Sequence, residues 1–600
     1  MRQSVTGAAG RAAVLAACMV AAFCVTASRQ SAFAAEAGYG GPWPAEVKGF
    51  TAPKSGEHPR LFFRRADLPK LRARANTPEG KAILERLKVV LGGGEGMPKH
   101  KNPMTSAYGK KGGPKPQRQQ MPVGTYSISH AAGFGFLYQI TGQRKYADLG
   151  KECFEWAFQG VRDRDREARY SWHLPGGALR AGPSLGWYAV GYDLCYDGWD
   201  EAFRRKVALA IQNYDGGDAR DKNTNIEGLV RGSRHMPASN HWGMQVGGGA
   251  LAVLTIMRDP GVDDAKIEDL LKQSSEAMIR NMTEGFGDHG WFAEGDGTGS
   301  MSSQIAFIPA LQAWRVAGGK DFITPRPNGP WMSLKWIMLT VPRNGKMDFP
   351  KRGAYPHNVW TRDGISGAGY FCEGFGGVTE AQRSALLWFY NRHLKELDEK
   401  NGTPFDTPSP YPHHSILAFV NWPFGMKQRN PIESVPPAVG DEKYGFYMFR
   451  NRWQDENDIV VSVQTRSTRG WHRARTRGDV EVWGLGKKRR WGRLVNATHF
   501  QGAADGSGIL GGSDGTCLAV DFSKASGAEG MLVMTGPGAA GGKLVASAGG
   551  TKFSFLFLTT GSAPALTADG DKVVVGGQTV SMKDGRIVVG KMAGAWKPAE

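Results

Sequence analysis

Ala238-Ser239-Asn240-His241-Trp242-Gly243 opens a long apolar run that continues from Met244 to Met257. Polar groups at the head of such a run are either hydrogen-bonded in a core or turned towards a cleft. An Asn amide beside an imidazole suits one chemistry in particular, in which the amide holds a substrate carboxylate while the His moves a proton. β-Elimination from a uronic-acid polymer needs both, because the C5 proton can be removed only when the neighbouring carboxylate charge is stabilised. The alternative is local, with Asn240 capping a helix and His241 packing at its first turn.

Outward from this run, apolar residues recur at helical spacing as far as residue 421. The pattern predicts helices over 67–75, 81–91, 127–141, 145–158, 184–196, 201–212, 240–257, 265–283, 301–316, 331–340 and 380–397, joined by Gly- and Pro-rich loops. Helices of similar length with no strand pattern between them predict stacked helical hairpins. A toroid of about six hairpins would bury one face of each helix and leave a cleft at one end. After the Pro-rich stretch 430–437 the pattern becomes short and alternating, predicting strands over 446–450, 459–464, 480–485, 518–522, 532–535, 543–546, 552–558, 572–575 and 586–589. The chain therefore reads as α+β and multidomain, with an α/α toroid over 35–429 and an antiparallel β-sandwich over 438–600.

Residues 1–34 read as a leader. Arg2 and Arg11 precede an apolar segment, and Ala32-Phe33-Ala34 supplies a small-x-small cleavage pattern. The expectation is export to the periplasm or the medium, and no later stretch is apolar for the roughly 20 residues of a membrane span. Cys18 and Cys24 fall in the leader, leaving Cys153, Cys195, Cys372 and Cys517 without a CxxC spacing. Such cysteines predict buried thiols or one disulfide, not a zinc cluster. Of 75 Lys and Arg, three lie in the leader, and none of the 56 Asp and Glu does, so the remainder carries 72 against 56, or +16. That balance favours an anionic partner. For an exported chain an acidic polysaccharide fits better than nucleic acid.

Several motifs resemble one family. His58-Pro59-Arg60-Leu61-Phe62-Phe63 followed by Asp67-Leu68-Pro69-Lys70-Leu71-Arg72 resembles the opening of the helical toroid in heparinase II/III-like and alginate-lyase-like polysaccharide lyases. Leu185-Gly186-Trp187-Tyr188-Ala189-Val190-Gly191-Tyr192-Asp193 resembles a toroid helix of those proteins, Ser239-Asn240-His241-Trp242 their Asn-His segment, and Gly290-Trp291-Phe292-Ala293-Glu294-Gly295 their Glu-Gly stretch. Gly470-Trp471-His472, leading into Val480-Glu481-Val482-Trp483, resembles the start of their β-domain. The resemblance implies that Asn240 neutralises a substrate carboxylate, that His241 acts as base or acid near C5, and that His472 reaches into the cleft from the β-domain. Arg469, Arg473 and Arg475 would then line the channel, and Trp242 and Glu294 would contact substrate. A His titrating near neutrality transfers protons at physiological pH without a large shift.

Two positions depart from the family pattern. Its His-x-His-x-Asp metal motif is replaced here by positions that include Ala474 and Thr476, so no metal and no other cofactor is expected. Its tyrosine after the Glu-Gly stretch is absent from 294–301. Tyr355, in a polar loop with His357, is the replacement candidate, with an ordinary loop residue as the alternative. Tyr188 and Tyr192, at i and i+4, read as core. Glu294 and Asp296 open a second class, an inverting glycoside hydrolase with paired carboxylates. A third is a non-catalytic acidic-polysaccharide-binding protein using Arg466 to Arg477 and Lys487-Lys488-Arg489-Arg490. Trp172, Trp187, Trp242 and Trp291 are candidate sugar platforms, or core.

Overall fold

A computed structural model describes residues 43–102, 121–165, 169–217, 224–232, 235–295, 305–343, 346–348, 370–406, 409–467, 477–539 and 544–590. Six helices form a closed inner ring. His130–Thr141, Ala178–Cys195, Asn240–Ile256, Phe307–Ala317, Tyr370–Gly374 and Pro412–Asn421 touch in turn, and the last packs back on the first. Ala178–Cys195 and Asn240–Ile256 are buried all round, with Gly, Ala and aromatic residues on every face. The helices outside them, Arg144–Phe158, Glu201–Gln212 and Asp264–Arg280, bury one stripe and wet the other, as expected for an outer layer.

Glycine sets how closely the two longest inner helices approach. A methyl group at Gly248 would stand 1.8 Å from the Gly182 carbonyl oxygen, and one at Gly186 would stand 2.9 Å from the Gly248 Cα. Only hydrogen fits between these backbones. Their far ends are pinned by the 58–61 segment. His58 bridges Asp193 (2.7 Å) and Asp259 (3.0 Å), Arg60 donates to Asp259 (2.8 Å) and the Met257 carbonyl (2.5 Å), and Asp193 takes the Arg60 and Leu61 N–H groups. His58, Arg60, Asp193 and Asp259 are all buried, which such charges tolerate only when paired in this way.

Past residue 437 the described residues build three antiparallel sheets of five, six and four strands. The first runs in sequence order through Ala438–Asp441, Phe446–Arg450, Val460–Gln464, Asp479–Gly484 and Lys487–Arg493. Alternate residues decide the layering. Phe446 and Met448 point into a core shared with Trp331, Trp336 and Ile337 of the toroid, whereas Tyr447 and Phe449 point into a core shared with the second sheet. In that second sheet Leu518, Val520, Leu532 and Met534 face the first sheet. Ala519, Met531, Val533 and Phe555 face Val573, Val580 and Ile587 of the third. The layers therefore run helix, sheet, sheet, sheet, one more than a simple sandwich.

The same stacking explains Asn328–Leu339, which is buried at every position because the β-domain covers the side that other outer helices show to water. Arg450 crosses this junction. Its buried guanidinium donates to the Met338 (3.1 Å) and Thr340 (2.7 Å) carbonyls at the helix C-terminus and to Asp458 (2.6 Å), a favourable place for a cation.

Sequence and structure differ in several elements. The toroid is not free of strands, since Ala45–Glu46 pairs with Lys320–Asp321 and Val341–Arg343 with Lys346–Asp348. Ala178–Cys195 begins six residues earlier than expected and carries Pro183 inside it. Ile226–Arg231, Tyr370–Gly374 and Pro412–Asn421 were not anticipated. Cys153, Cys195, Cys372 and Cys517 are free, buried thiols with no disulfide between them. No helix among the described residues is long and apolar enough to cross a membrane.

Candidate active site

The Asn240–Ile256 helix starts with Ser239 as its cap, whose hydroxyl accepts the His241 N–H at 3.3 Å. Asn240 is therefore the first helical residue and not the cap. The segment before it is held by Asn281, which donates to the Pro237 carbonyl at 2.7 Å, and by the Ser239 N–H on the Met236 carbonyl. His241 is half-buried and lies 4.3 Å from His235, ring to ring and 27° from parallel. His235 was missed in the sequence because nothing in the period marks a loop imidazole six residues upstream of His241.

Glu294 reaches the same helix end. Its carboxylate accepts the Asn240 N–H at 2.9 Å, where the helix dipole favours an anion. It arrives there on a hairpin in which Phe286 pairs with Phe292 and the Ala293 N–H bonds the Gly285 carbonyl. One expected substrate contact thus has a local task at the helix N-terminus. Trp242 differs more sharply from expectation. Its indole is 4 % exposed, donates to the Ala277 carbonyl at 2.9 Å, lies against Gly232 and carries the Arg280 guanidinium at 5.2 Å. The ring is enclosed by these contacts, so Trp242 packs and offers no platform for a sugar. Trp172, Trp187 and Trp291 are buried too, Trp187 stacked on His413 at 4.5 Å and Trp291 on Phe446 at 3.7 Å.

A second polar layer lies within the ring. Glu373 accepts from His414 (3.1 Å) and from the Ile305 N–H (3.3 Å), while Trp187 donates to the Ile305 carbonyl (2.9 Å). His413 bonds Ser129 at 3.1 Å and stacks between Trp187 and Tyr411. Burial raises the Glu373 carboxyl against the pull of His414, and burial together with His414 drives His413 well below the usual imidazole range. Nearby His130 falls to about 3 through burial and Arg164. These groups tie the last two inner helices to the first. The adjacent His413-His414 after Tyr411-Pro412 was the available signal, hidden because a Pro-rich context reads as loop.

Tyr355, His357, His472, Arg469, Arg473, Arg475 and Asp296 lie outside the described residues. Tyr188 and Tyr192 are core, bonded to Tyr126 (2.7 Å) and Asp259 (2.8 Å). Lys487–Arg493 is the edge strand of the first sheet, with Arg490 near Asp479 (3.5 Å) and Lys488 over Trp483 (4.6 Å). Charges on an edge strand oppose sheet-to-sheet association, which accounts for the run without a ligand. Among the described residues no group of three or more His, Cys, Asp or Glu is placed to hold a metal.

No protein-family model matches the chain, and no curated protein matches it in sequence. Among solved structures it is similar to the heparan sulfate lyase HepC from Pedobacter heparinus, at 13 % identity and a TM-score of 0.39 over 86 % of this chain and 80 % of that one. It is also similar to heparinase III, at 12 % identity and a TM-score of 0.37 over the same shares. Likeness this distant carries no inference about chemistry, which rests on the residues themselves.

Proposed function

We propose that the chain is a lyase that cleaves an acidic, uronate-containing polysaccharide by β-elimination, acting in the periplasm or outside the cell. The observation that carries this is the head of the Asn240–Ile256 helix, where Asn240 adjoins His241 and the His241 ring stacks on His235. The Asn240 amide would bind the uronate carboxylate and stabilise the charge that grows when C5 loses its proton. His241 would take that proton, and a second group would return one to the leaving sugar oxygen. His472 and Tyr355 are the candidates for that second role. A positive balance of the exported chain draws in a polyanion.

The test is incubation with a panel of uronate polymers, following the ultraviolet absorbance of the unsaturated sugar that only elimination produces. A rise in absorbance that Asn240→Ala and His241→Ala abolish supports the reading. New reducing ends without that absorbance point to hydrolysis by Glu294 and Asp296, and binding with neither signal points to a non-catalytic polysaccharide-binding protein.

A further inference from the structure

The first β-domain strand, Ala438–Asp441, ends in a fully buried carboxylate. Asp441 accepts the N–H groups of His289 (3.1 Å) and Trp291 (3.2 Å) from the toroid and that of Tyr444 (3.3 Å) from its own turn. The Gly440 carbonyl beside it accepts the His289 Nδ1–H at 2.9 Å. The fit leaves no spare room, since a methyl group at Gly287 would stand 1.8 Å from the Asp441 carboxylate. Two further bonds hold the same hairpin. The Tyr444 hydroxyl donates to the Glu284 carbonyl, and the Lys335 ammonium donates to the Gly290 carbonyl at 2.5 Å. Three residues past Trp291 on this hairpin, Glu294 meets the Asn240 N–H at 2.9 Å.

We propose that Asp441 is a positioning residue: supplied by the second domain, its carboxylate fixes the 287–291 turn and thereby sets Glu294 against the head of the Asn240 helix, so that docking of the β-domain completes the site. The inference rests on reading Asn240 and His241 as the site. An ionised or hydrogen-bonded carboxylate that gathers several N–H groups over-determines the backbone it binds, and positional error of about 1 Å at a reacting group costs on the order of 100-fold in rate.

Burial and nearby Asp288 push Asp441 up to about 7, against the pull of its three N–H donors. Around it stand Asp288 and His289 on the turn, Glu284 before the turn, Lys335 on the Asn328–Leu339 helix, and Glu442 and Tyr444 on its own strand's exit. A carboxyl raised in the docked state favours docking while it holds its proton. The brace therefore loosens as pH rises from about 4 to about 7 and changes little above that.

The experiment is hydrogen exchange on the full chain, comparing wild type with Asp441→Ala and Asp441→Asn, with kinetics on whichever polymer the panel identifies. Asp441→Ala should speed exchange in both 285–295 and 236–244 and leave the 130–195 helices unchanged. It should lower kcat about 10- to 100-fold while KM moves less than about threefold. Asp441→Asn should remove the change in 236–244 exchange between pH 5 and 7, beyond the intrinsic rate, that wild type displays. Faster exchange confined to 285–292, with 236–244 as in wild type, would overturn the proposal. If Asp441→Ala does not fold, the pH series of wild type against Asp441→Asn carries the test alone, and a 236–244 exchange that varies with pH in Asp441→Asn as it does in wild type would overturn the proposal. Exchange coupling in a chain that cleaves no uronate polymer would sink the lyase reading and leave the positioning role standing, whereas cleavage unaffected by Asp441→Asn at any pH would do the reverse.

Discussion

Replacing Asp259 by Ala tests the charge network that pins the toroid's N-terminal segment. Asp259 takes bonds from Arg60 (2.8 Å), His58 (3.0 Å) and Tyr192 (2.8 Å), and the Arg60 side chain is fully buried. Without Asp259 the guanidinium keeps only the Glu57 and Met257 carbonyls and the imidazole of His58. Removing one partner of a buried ion pair costs about 3–5 kcal/mol, because the other charge stays buried and uncompensated. Domains are stable by about 5–15 kcal/mol, so the loss is at least about a fifth of the total. The control is Asp197→Ala. Its 2.6 Å pair with Arg65 is equally short but 58 % exposed on the Arg side, and such pairs contribute about 0–1 kcal/mol.

Urea unfolding followed by circular dichroism reads both variants. A loss below about 1 kcal/mol for Asp259→Ala would refute the claim that burial makes this pair count. The pH dependence adds a check. Burial pushes the Asp259 carboxyl up, but His58, Arg60 and Tyr192 outweigh it and hold it below the usual carboxylate range. A carboxyl depressed in the folded state stabilises above its unfolded value of about 4 and loses that contribution as pH falls through the folded value. Asp259→Asn should accordingly shrink the acid limb of the stability profile below about pH 4.

Three further outcomes follow from the geometry. Gly248→Ala places a methyl 1.8 Å from the Gly182 carbonyl, so the helices must separate, at about 1–3 kcal/mol or more in a chemical-denaturation midpoint; a neutral result would mean the ring tolerates a wider seam. Asn240→Ala should lower turnover by about 10²–10³ while circular dichroism stays as in wild type. Extended chelation should leave activity and thermal midpoint unchanged, and stoichiometric zinc lost together with stability would reveal a ligand set among residues such as His472.

Local chemistry in the sequence already marks the division into helices and strands. Glu201–Gln212 lies where the 3.6-residue period places it, and Phe446–Arg450, Lys572–Val575 and Arg586–Val589 where short apolar runs between turns place them. Strands escaped detection where that signal is missing. Gly508–Gly512 has no side-chain pattern, and Lys487–Arg493 reads as a charged run because an edge strand has one unpaired side. The number of sheets was equally hidden. Ala519 and Leu518 differ only in which neighbour each meets, and alternation cannot say that both faces of a strand are covered.

The same limit applies to the site. Sequence singled out Asn240 and His241, because polar residues at the head of an apolar helix need a reason to be there. It could not add His235, Glu373 or Asp441, whose contacts span 6, 41 and 152 residues. It also offered Trp242 as a sugar platform when the ring is enclosed by Gly232, Ala277 and Arg280. Period and propensity are properties of neighbours along the chain, so the residue order by itself determined where helices and strands form and which faces are apolar. Which buried group meets which depends on distances closed only when ring and sheets pack together, and that tertiary packing alone decided that a β-domain carboxylate braces the hairpin leading to Asn240.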